Sequence, residues 1–243
     1  MSKVTQDIGA TVHPDRLDPA YDYPGYVATH LRAPKRPLRS LPEGLTEIAG
    51  PVFGEGLVGP LDHDLTRQGS GEPIGERLIV HGRVSDSAGR PVANQLVEIW
   101  QANAAGRYAH TVDRHQAPLD PNFSGAGRCL TTSSGSYRFI TIRPGEYPWS
   151  NHDNAWRPAH IHFSVFGRSF SSRLVTQMYF PGDPLLEYDP MFQSIRDRRA
   201  AGRLVAKFDL DATQRDWALA YRFDVVLGGD GATPIETIGE ERG

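Results

Sequence analysis

The feature that most constrains the fold is a series of short runs, rich in β-branched and aromatic residues, that begins near residue 77. Gly, Pro, Ser and Asp separate the runs, and these residues favour turns. This pattern is typical of an antiparallel β-sandwich or barrel. It predicts strands at 78–85, 94–101, 136–142, 160–166, 173–180, 203–209 and 219–227. We therefore expect an all-β protein built as an antiparallel β-sandwich.

One segment departs from this pattern and is predicted to form a single short helix at about 189–201. Asp189 is a suitable N-cap, and Pro190 suits the first helical position. Arginines at 196, 198 and 199 would interact favourably with the negative end of the helix dipole. The rest of the chain after residue 76 shows no comparable helical signal.

The N-terminal third of the chain has a different composition from the rest. Residues 1–76 hold nine of the nineteen prolines and show neither helical nor strand periodicity. We expect a Pro-rich extended arm whose apolar residues are buried on this domain or on a partner subunit, because a free arm of this length would be disordered. The predicted division is an arm at 1–76 and a β-sandwich domain at 77–243.

Charge and composition exclude several classes of partner. A formal net charge of −3 argues against nucleic acid and anionic membranes, so a small molecule is the expected ligand. The N-terminus lacks the apolar core of a signal peptide, and no apolar run approaches the roughly 20 residues that span a bilayer. The lone cysteine, Cys129, cannot form an intramolecular disulfide and is expected to be a buried structural thiol. A cytoplasmic protein is predicted.

Two histidines separated by one residue are the first sign of chemistry. Because a strand is predicted after Pro158, His160 and His162 would project from one face and could bind the same metal ion. With nine histidines in 243 residues, such a pair arises by chance in roughly one chain in three. Further ligands must come from elsewhere in the chain, and spacing does not choose among the candidates. These are Asp153 or Asp183, which would make a ferrous site with one carboxylate, and tyrosines such as Tyr147.

Three longer motifs carry a resemblance to a known family. They are LVEIWQANAAGRY at 96–108, RPGEYPW at 143–149 and RPAHIH at 157–162. Together, and in this order, they resemble the signature of the intradiol ring-cleaving dioxygenases, over roughly residues 50–227. Within the family, the Pro-rich arm is most similar to that of the iron-binding chain of members built from two homologous chains, which act on protocatechuate.

The resemblance implies one Fe(III) ion per chain, without heme. Its ligands would be Tyr108, Tyr147, His160 and His162. Two phenolates together with a hydroxide would offset the three positive charges, and hard anionic oxygen donors favour Fe(III) over Fe(II).

The resemblance also implies roles around the metal. Tyr147 is expected to leave the metal when substrate binds and to accept a phenolic proton. Arg157 would stabilise negative charge that develops during the reaction, and Gln177 would hold Arg157 and the oxygen pocket. The implied pocket-wall positions are Tyr26, Trp149 and Met191. An isoleucine is expected at position 191, so methionine there leaves the shape of the pocket and the substrate tolerance open.

The implied reaction converts protocatechuate and O2 to 3-carboxy-cis,cis-muconate, a step of aromatic catabolism in the β-ketoadipate pathway. The implied partner is a homologous α chain, in an αβ protomer that repeats within a larger symmetric assembly. Alternatives are an intradiol dioxygenase for catechol or hydroxyquinol, a non-catalytic β-sandwich binding module, and a ferrous or zinc enzyme. The last would use the two histidines with Asp153 or Asp183.

Overall fold

The computed structural model places most of the regular structure in two β-sheets and one short hairpin. The structure describes residues 18–36, 58–149, 155–166 and 173–236. In chain order, the strands are β1 (Arg77–Asp86), β2 (Leu96–Trp100), β3 (Ala126–Leu130), β4 (Ser136–Ile142), β5 (Tyr147–Trp149), β6 (Ala155–Arg157), β7 (His160–Phe166), β8 (Arg173–Tyr179), β9 (Lys207–Phe208), β10 (Leu219–Arg222) and β11 (Val225–Leu227). Much of residues 1–57, and Asp153, lie outside the described residues.

The first sheet is organised around β1. Strand β4 pairs antiparallel with residues 77–83 of β1. Strand β10 pairs with residues 78–81 of β1 and β11 with residues 84–86, and both are parallel to β1. Strand β9 continues the sheet beyond β10. The prediction of an all-β fold is confirmed, but this sheet is mixed rather than wholly antiparallel. A parallel pairing joins segments far apart in the chain, which the alternation of residues within a strand does not reveal.

The second sheet has the order β3-β2-β7-β8 and is antiparallel throughout. Alternate residues of β7 point into the space between the sheets, so that Phe163 lies 6.5 Å from Phe139 and 5.0 Å from Phe223, measured between ring centroids. Ile161 and Val165 are fully buried in the same core. Burying side chains of this size contributes about 1.5–3 kcal/mol each. The intervening residues His160 and His162 therefore face away from this core.

The predicted helix at 189–201 is two helices. They are α2 (Pro190–Gln193) and α3 (Arg198–Gly202), and a further helix, α1 (Val27–Arg32), precedes the sheets. Asp189 caps α2 as predicted, by accepting a hydrogen bond from the backbone N–H of Met191. Asp197 accepts one from the backbone N–H of Arg199 and so begins a new helix. A single helix was the wrong prediction because the second aspartate competes for backbone donors where the helix would have continued.

The described parts of the segment 1–76 are more regular than the sequence suggests. Helix α1 lies within it, with the Thr29 hydroxyl bonded to backbone carbonyls at Tyr23 and Tyr26. Further on, Leu65 is fully buried in the main core between the sheets. Residues near Leu65 thus pack as part of the sandwich. Among the described residues, no helix combines the length and apolar character needed to cross a membrane.

Candidate metal centre

Strand β7 places His160 and His162 on one face, as their spacing predicts. Their ring centroids lie 4.8 Å apart, and both side chains are buried. Nδ1 of His160 is 2.7 Å from the carbonyl oxygen of Pro158, so it carries the proton and donates this bond. The lone pair of Nε2 is therefore available to a metal ion.

His162 is oriented by a partner that the sequence did not suggest. Its Nδ1 lies 3.1 Å from Oε2 of Glu236, near the end of the described chain, and its ring stacks on Trp100 with centroids 4.8 Å apart. A carboxylate accepts the Nδ1 proton, which again leaves Nε2 as the free ligand atom. Both imidazoles are thus held in the tautomer that a metal site requires.

Two tyrosine oxygens meet these nitrogens. Oη of Tyr108 is 3.1 Å from Nε2 of His162, and Oη of Tyr147 is 3.4 Å from Nε2 of His160. The four residues expected as ligands therefore converge with their donor atoms directed at one another. Two phenol oxygens and two imidazole nitrogens fit a hard, highly charged ion better than a softer divalent one. The residues present fit Fe(III).

Two glycines allow the loops that carry the tyrosines to approach each other. Gly106 has φ of +76°, and a Cβ there would lie 2.1 Å from the carbonyl oxygen of Glu146, the residue before Tyr147. At Gly145, a Cβ would lie 2.5 Å from the carbonyl oxygen of Ala104. Any side chain at either position would push apart the loops that bring Tyr108 and Tyr147 together.

The carboxylate alternative receives no support from the residues described. Oδ2 of Asp183 accepts the backbone N–H of Ala159, and Oδ1 accepts that of Leu185. Asp183 thus caps a short 3-10 helix, Pro184–Glu187. Across residues 18–36, 58–149, 155–166 and 173–236, no group of three or more His, Cys, Asp or Glu side chains could hold a metal ion. Asp153 lies outside these ranges.

Arg157 is brought to the ligands by the β5–β6 hairpin. It stands directly opposite Tyr147 in the pairing of the two strands. Its side chain is 2% exposed, and its Nη1 lies 3.4 Å from Nε2 of His160. Nη2 donates to Oε1 of Gln177 at 2.6 Å, which is the contact expected between these two residues. A fixed cation therefore lies beside the ligand cluster.

The pairing of β7 with β8 explains why Gln177 is in reach. His162 is opposite Gln177 and His160 is opposite Tyr179, so all four side chains share one face of the sheet. Tyr179 also bonds to Arg157 through its hydroxyl. Because residues i and i+2 share a strand face, Tyr179 could have been found from the position of Gln177 in the sequence.

Two further residues of this site were missed by sequence reasoning. The first is Asp189, which was assigned only as a helix cap but forms an ion pair with Arg157, with Nη2 and Oδ2 3.0 Å apart. The other is Glu236, 74 residues after His162. Both contacts depend on how distant segments pack, and no local pattern marks them.

The electrostatics of the cluster follow from burial and these pairings. Burial, together with the neighbouring Arg157 and His162, lowers the pKa of His160 well below its usual range, which keeps the ring neutral. Burial by itself would lower the pKa of Arg157, but the Asp189 carboxylate and the side chains of Tyr147 and Tyr179 together outweigh burial, and the pKa lies well above the usual range. Burial would raise the pKa of Glu236, yet His162, with smaller contributions from Arg157 and Gln177, lowers it overall.

The three residues expected in the pocket wall are found next to the two tyrosines expected as ligands. Tyr26, Trp149 and Met191 belong to one buried apolar cluster with Tyr147, and Tyr108 packs against it. The rings of Tyr26 and Trp149 are 4.6 Å apart between centroids, so the N-terminal end of helix α1 packs against this cluster.

Comparison with known proteins identifies the family. The family model described as "Dioxygenase" matches residues 48–229, and that described as "Protocatechuate 3,4-dioxygenase beta subunit N terminal" matches residues 18–43. The chain is 60% identical over 220 residues to the protocatechuate 3,4-dioxygenase beta chain of Burkholderia cepacia. The aligned region covers 90% of this chain and 93% of the relative. The chain belongs to the intradiol dioxygenase family.

Other intradiol dioxygenases show how the likeness extends. The protocatechuate 3,4-dioxygenase alpha chain of Pseudomonas putida is 29% identical over 206 residues, covering 81% of this chain and 97% of the relative. The solved structure of catechol 1,2-dioxygenase from Acinetobacter sp. ADP1 has a TM-score of 0.51 and 28% identity, covering 74% of this chain and 61% of the other. The chain is thus similar to both the beta and the alpha chains of one enzyme.

Membership of the intradiol dioxygenases makes this chain an oxidoreductase of aromatic catabolism that cleaves a ring. The family generally depends on non-heme iron. The donor set described above suits that dependence, because it offers anionic oxygen and neutral nitrogen ligands in one buried cluster.

Proposed function

We propose that this chain is the iron-binding, catalytic beta chain of an Fe(III) enzyme that converts protocatechuate and O2 to 3-carboxy-cis,cis-muconate. The observation that carries the proposal is the convergence of two tyrosine oxygens on two histidine nitrogens, within 3.1 and 3.4 Å. The 60% identity to a protocatechuate 3,4-dioxygenase beta chain supports this substrate over catechol or hydroxyquinol.

The proposed ligands of a single Fe(III) ion are Tyr108, Tyr147, His160 and His162. Bound there, the ion would supply Lewis-acid activation of a catecholic ring toward O2. The protein's contribution is to hold the four donors in place before substrate arrives. Hydrogen bonds from both Nδ1 atoms, to Pro158 and Glu236, fix the imidazoles for that purpose.

The proton and charge chemistry is assigned to residues around the ligands. Oη of Tyr147 is the base that accepts a phenolic proton from the substrate. Nη1 of Arg157, held beside His160, stabilises negative charge that develops on the substrate during ring opening. Gln177 fixes Arg157 through its Oε1 atom.

The proposed substrate pocket lies under helix α1. Tyr26, Trp149 and Met191 would form its apolar wall, and their packing against Tyr147 supports this placement. The flexible thioether of Met191 lies 3.8 Å from Nε2 of Gln177, so a change of side chain at this position would alter both pocket shape and the Gln177 amide.

We assign a homologous alpha chain as the partner, in an αβ unit that repeats in a larger assembly. The likeness of this chain to both chain types supports pairing between homologues. Residues 18–43 match a segment described for beta subunits, which is consistent with the arm contributing to that pairing.

The visible spectrum of purified protein tests the metal and the substrate class together. We expect a tyrosinate-to-Fe(III) charge-transfer band under air that shifts when protocatechuate is added without oxygen. Tyr108→Phe should lose or shift the band, whereas Asp183→Asn should keep it because the Asp183 carboxylate bonds to the backbone N–H groups of Ala159 and Leu185. A protein that stays colourless after iron loading would sink the proposal and favour a non-catalytic module.

Oxygen uptake then distinguishes substrates. Protocatechuate should give the highest kcat/KM, with catechol and hydroxyquinol lower, because the chain is 60% identical to a beta chain of protocatechuate 3,4-dioxygenase. A higher kcat/KM with catechol or hydroxyquinol would support the proposed ring cleavage but contradict protocatechuate as the substrate.

A further inference from the structure

Asp189 makes contacts that a helix cap does not need. Its carboxylate is completely buried, and it meets the Arg157 guanidinium at two points. Nε of Arg157 donates to Oδ1 at 3.2 Å, and Nη2 donates to Oδ2 at 3.0 Å. Paired bonds of this kind fix the plane of a guanidinium as well as its position.

The other groups around Arg157 complete the clamp. The Tyr179 hydroxyl lies 2.9 Å from Oδ2 of Asp189 and 2.8 Å from Oε1 of Gln177, and it accepts a bond from Nη2 of Arg157. These contacts occupy the Nε and Nη2 side of the guanidinium. The remaining nitrogen, Nη1, is thereby directed toward Nε2 of His160.

A capping role alone does not account for this arrangement. The bond from Met191 N–H to Asp189 is 3.3 Å long, whereas the equivalent cap of α3, from Arg199 N–H to the partly buried Asp197, is 2.8 Å. Burying an ion pair costs desolvation of both charges and is weak support for stability. The two-point contact of Asp189 is instead made with Arg157.

We propose that Asp189 is a positioning residue for ring cleavage, which holds Arg157 so that Nη1 faces the metal ligands. The inference rests on the proposed function and deepens it. Asp189 acts through Arg157, to which both of its carboxylate oxygens are bonded. The role of Asp189 should therefore disappear when Arg157 is absent.

A double-mutant cycle measures this dependence. Arg157→Ser is expected to lower kcat by about 10²–10³-fold, the usual effect of removing a charge-stabilising donor. Asp189→Asn alone should lower kcat by about 10–100-fold, as is typical of residues that orient groups at a metal site. In the Arg157→Ser background, Asp189→Asn should cause no further loss of kcat. Iron content and the charge-transfer band should remain as in the unmodified protein.

The matched control is Asp197→Asn, which weakens a helix cap without touching Arg157. It should leave kcat unchanged. If Asp189→Asn does not fold, Tyr179→Phe removes the hydroxyl that joins Asp189 to Gln177 while keeping both charges. That variant should lower kcat with iron retained.

Multiplicative losses in the double variant would overturn the positioning role, because Asp189 would then act independently of Arg157. Full kcat in Asp189→Asn, or in a folded Tyr179→Phe standing in for it, would do the same. Absence of ring cleavage in the unmodified, iron-loaded protein is a different result and would overturn the proposed function itself.

Discussion

The carboxylate of Glu236 orients the ring of His162. Removing this carboxylate tests whether the orientation of His162 matters for iron binding. Glu236→Ala should weaken iron binding about 10–100-fold, because Nδ1 loses its acceptor and the ring its fixed tautomer. Iron retained against a chelator measures this. Glu236→Gln is the matched control, since its amide oxygen can still accept the bond and the loss should be smaller. Equal retention in all three proteins would contradict the role.

Cys129 is partly buried on β3, beside an open cavity of about 790 Å³, and its titration is a residue-scale test of burial. Burial raises the pKa of its thiol to about 12 from an ordinary 9.0. The unfolded chain therefore loses this proton first, so the thiol's contribution to stability is present below pH 9 and lost between pH 9 and 12.

Urea unfolding at pH 8 and pH 10 checks the prediction for Cys129. The unmodified protein should lose about 1 kcal/mol more unfolding free energy than Cys129→Ser, which cannot titrate in this range. An identical pH dependence in both proteins would show that the thiol is not held protonated.

Among single residues, those that the structure brings together as expected lie on regular strands or in motifs. The two-residue period placed His160 and His162 together, and the motif resemblance supplied Tyr108 and Tyr147. Asp189 and Glu236 were not predicted as site residues, because their contacts with Arg157 and His162 join segments that only the folded chain brings together.

At the scale of elements, the strands of seven or more residues were predicted, whereas the five-residue β3 and the three-residue β5 and β6 were not. The predicted strand 219–227 is two strands, β10 and β11, and only Lys207–Phe208 of the predicted strand 203–209 is a strand. Strands β4 and β7 match the predicted bounds, because seven residues are enough to show alternation. The hairpin strands β5 and β6 have three residues each, and β5 contains Pro148, so neither shows a period. This hairpin nonetheless sets Arg157 opposite Tyr147. The β5–β6 hairpin, which positions Arg157 and Tyr147, was thus not predicted from the sequence.

The loop contact at Gly106 gives a prediction for an element. Gly106→Ala would place a methyl group against the carbonyl oxygen of Glu146 and force a positive φ on a residue that avoids it. We expect a loss of at least about 1–2 kcal/mol in stability and reduced iron binding, since the loops of Tyr108 and Tyr147 must separate. Thermal unfolding and iron content measure both.

Gly182→Ala is the matched control for Gly106. Gly182 also has a positive φ, of +77°, but a Cβ there meets nothing within 4 Å. It should lose stability from backbone strain alone and keep its iron. Equal iron loss in the two variants would show that the loop contact is not what matters.

For the whole molecule, the strand pattern predicted the sandwich. The binding of a partner chain instead depends on apolar side chains that are exposed in the single chain. Helix α1 exposes Val27 and Leu31, at 62% and 83%, one turn apart on one face. We expect the alpha chain to cover this face. Leu31→Asp should weaken copurification with a coexpressed alpha chain while leaving the fold of the isolated chain unchanged. Light scattering and circular dichroism check these outcomes, and undiminished copurification would exclude this face.

The positions of the four donors have a further consequence. Tyr108 and His162 are 54 residues apart, one on an irregular loop and the other on a core strand. An ion that binds both would act as a cross-link, closing a long loop that is open in the unfolded chain. The inward residues of β7 do not depend on it. Removal of the metal should therefore leave the sandwich folded. The segments around Tyr108 and Tyr147 should then be the first sites of proteolytic cleavage.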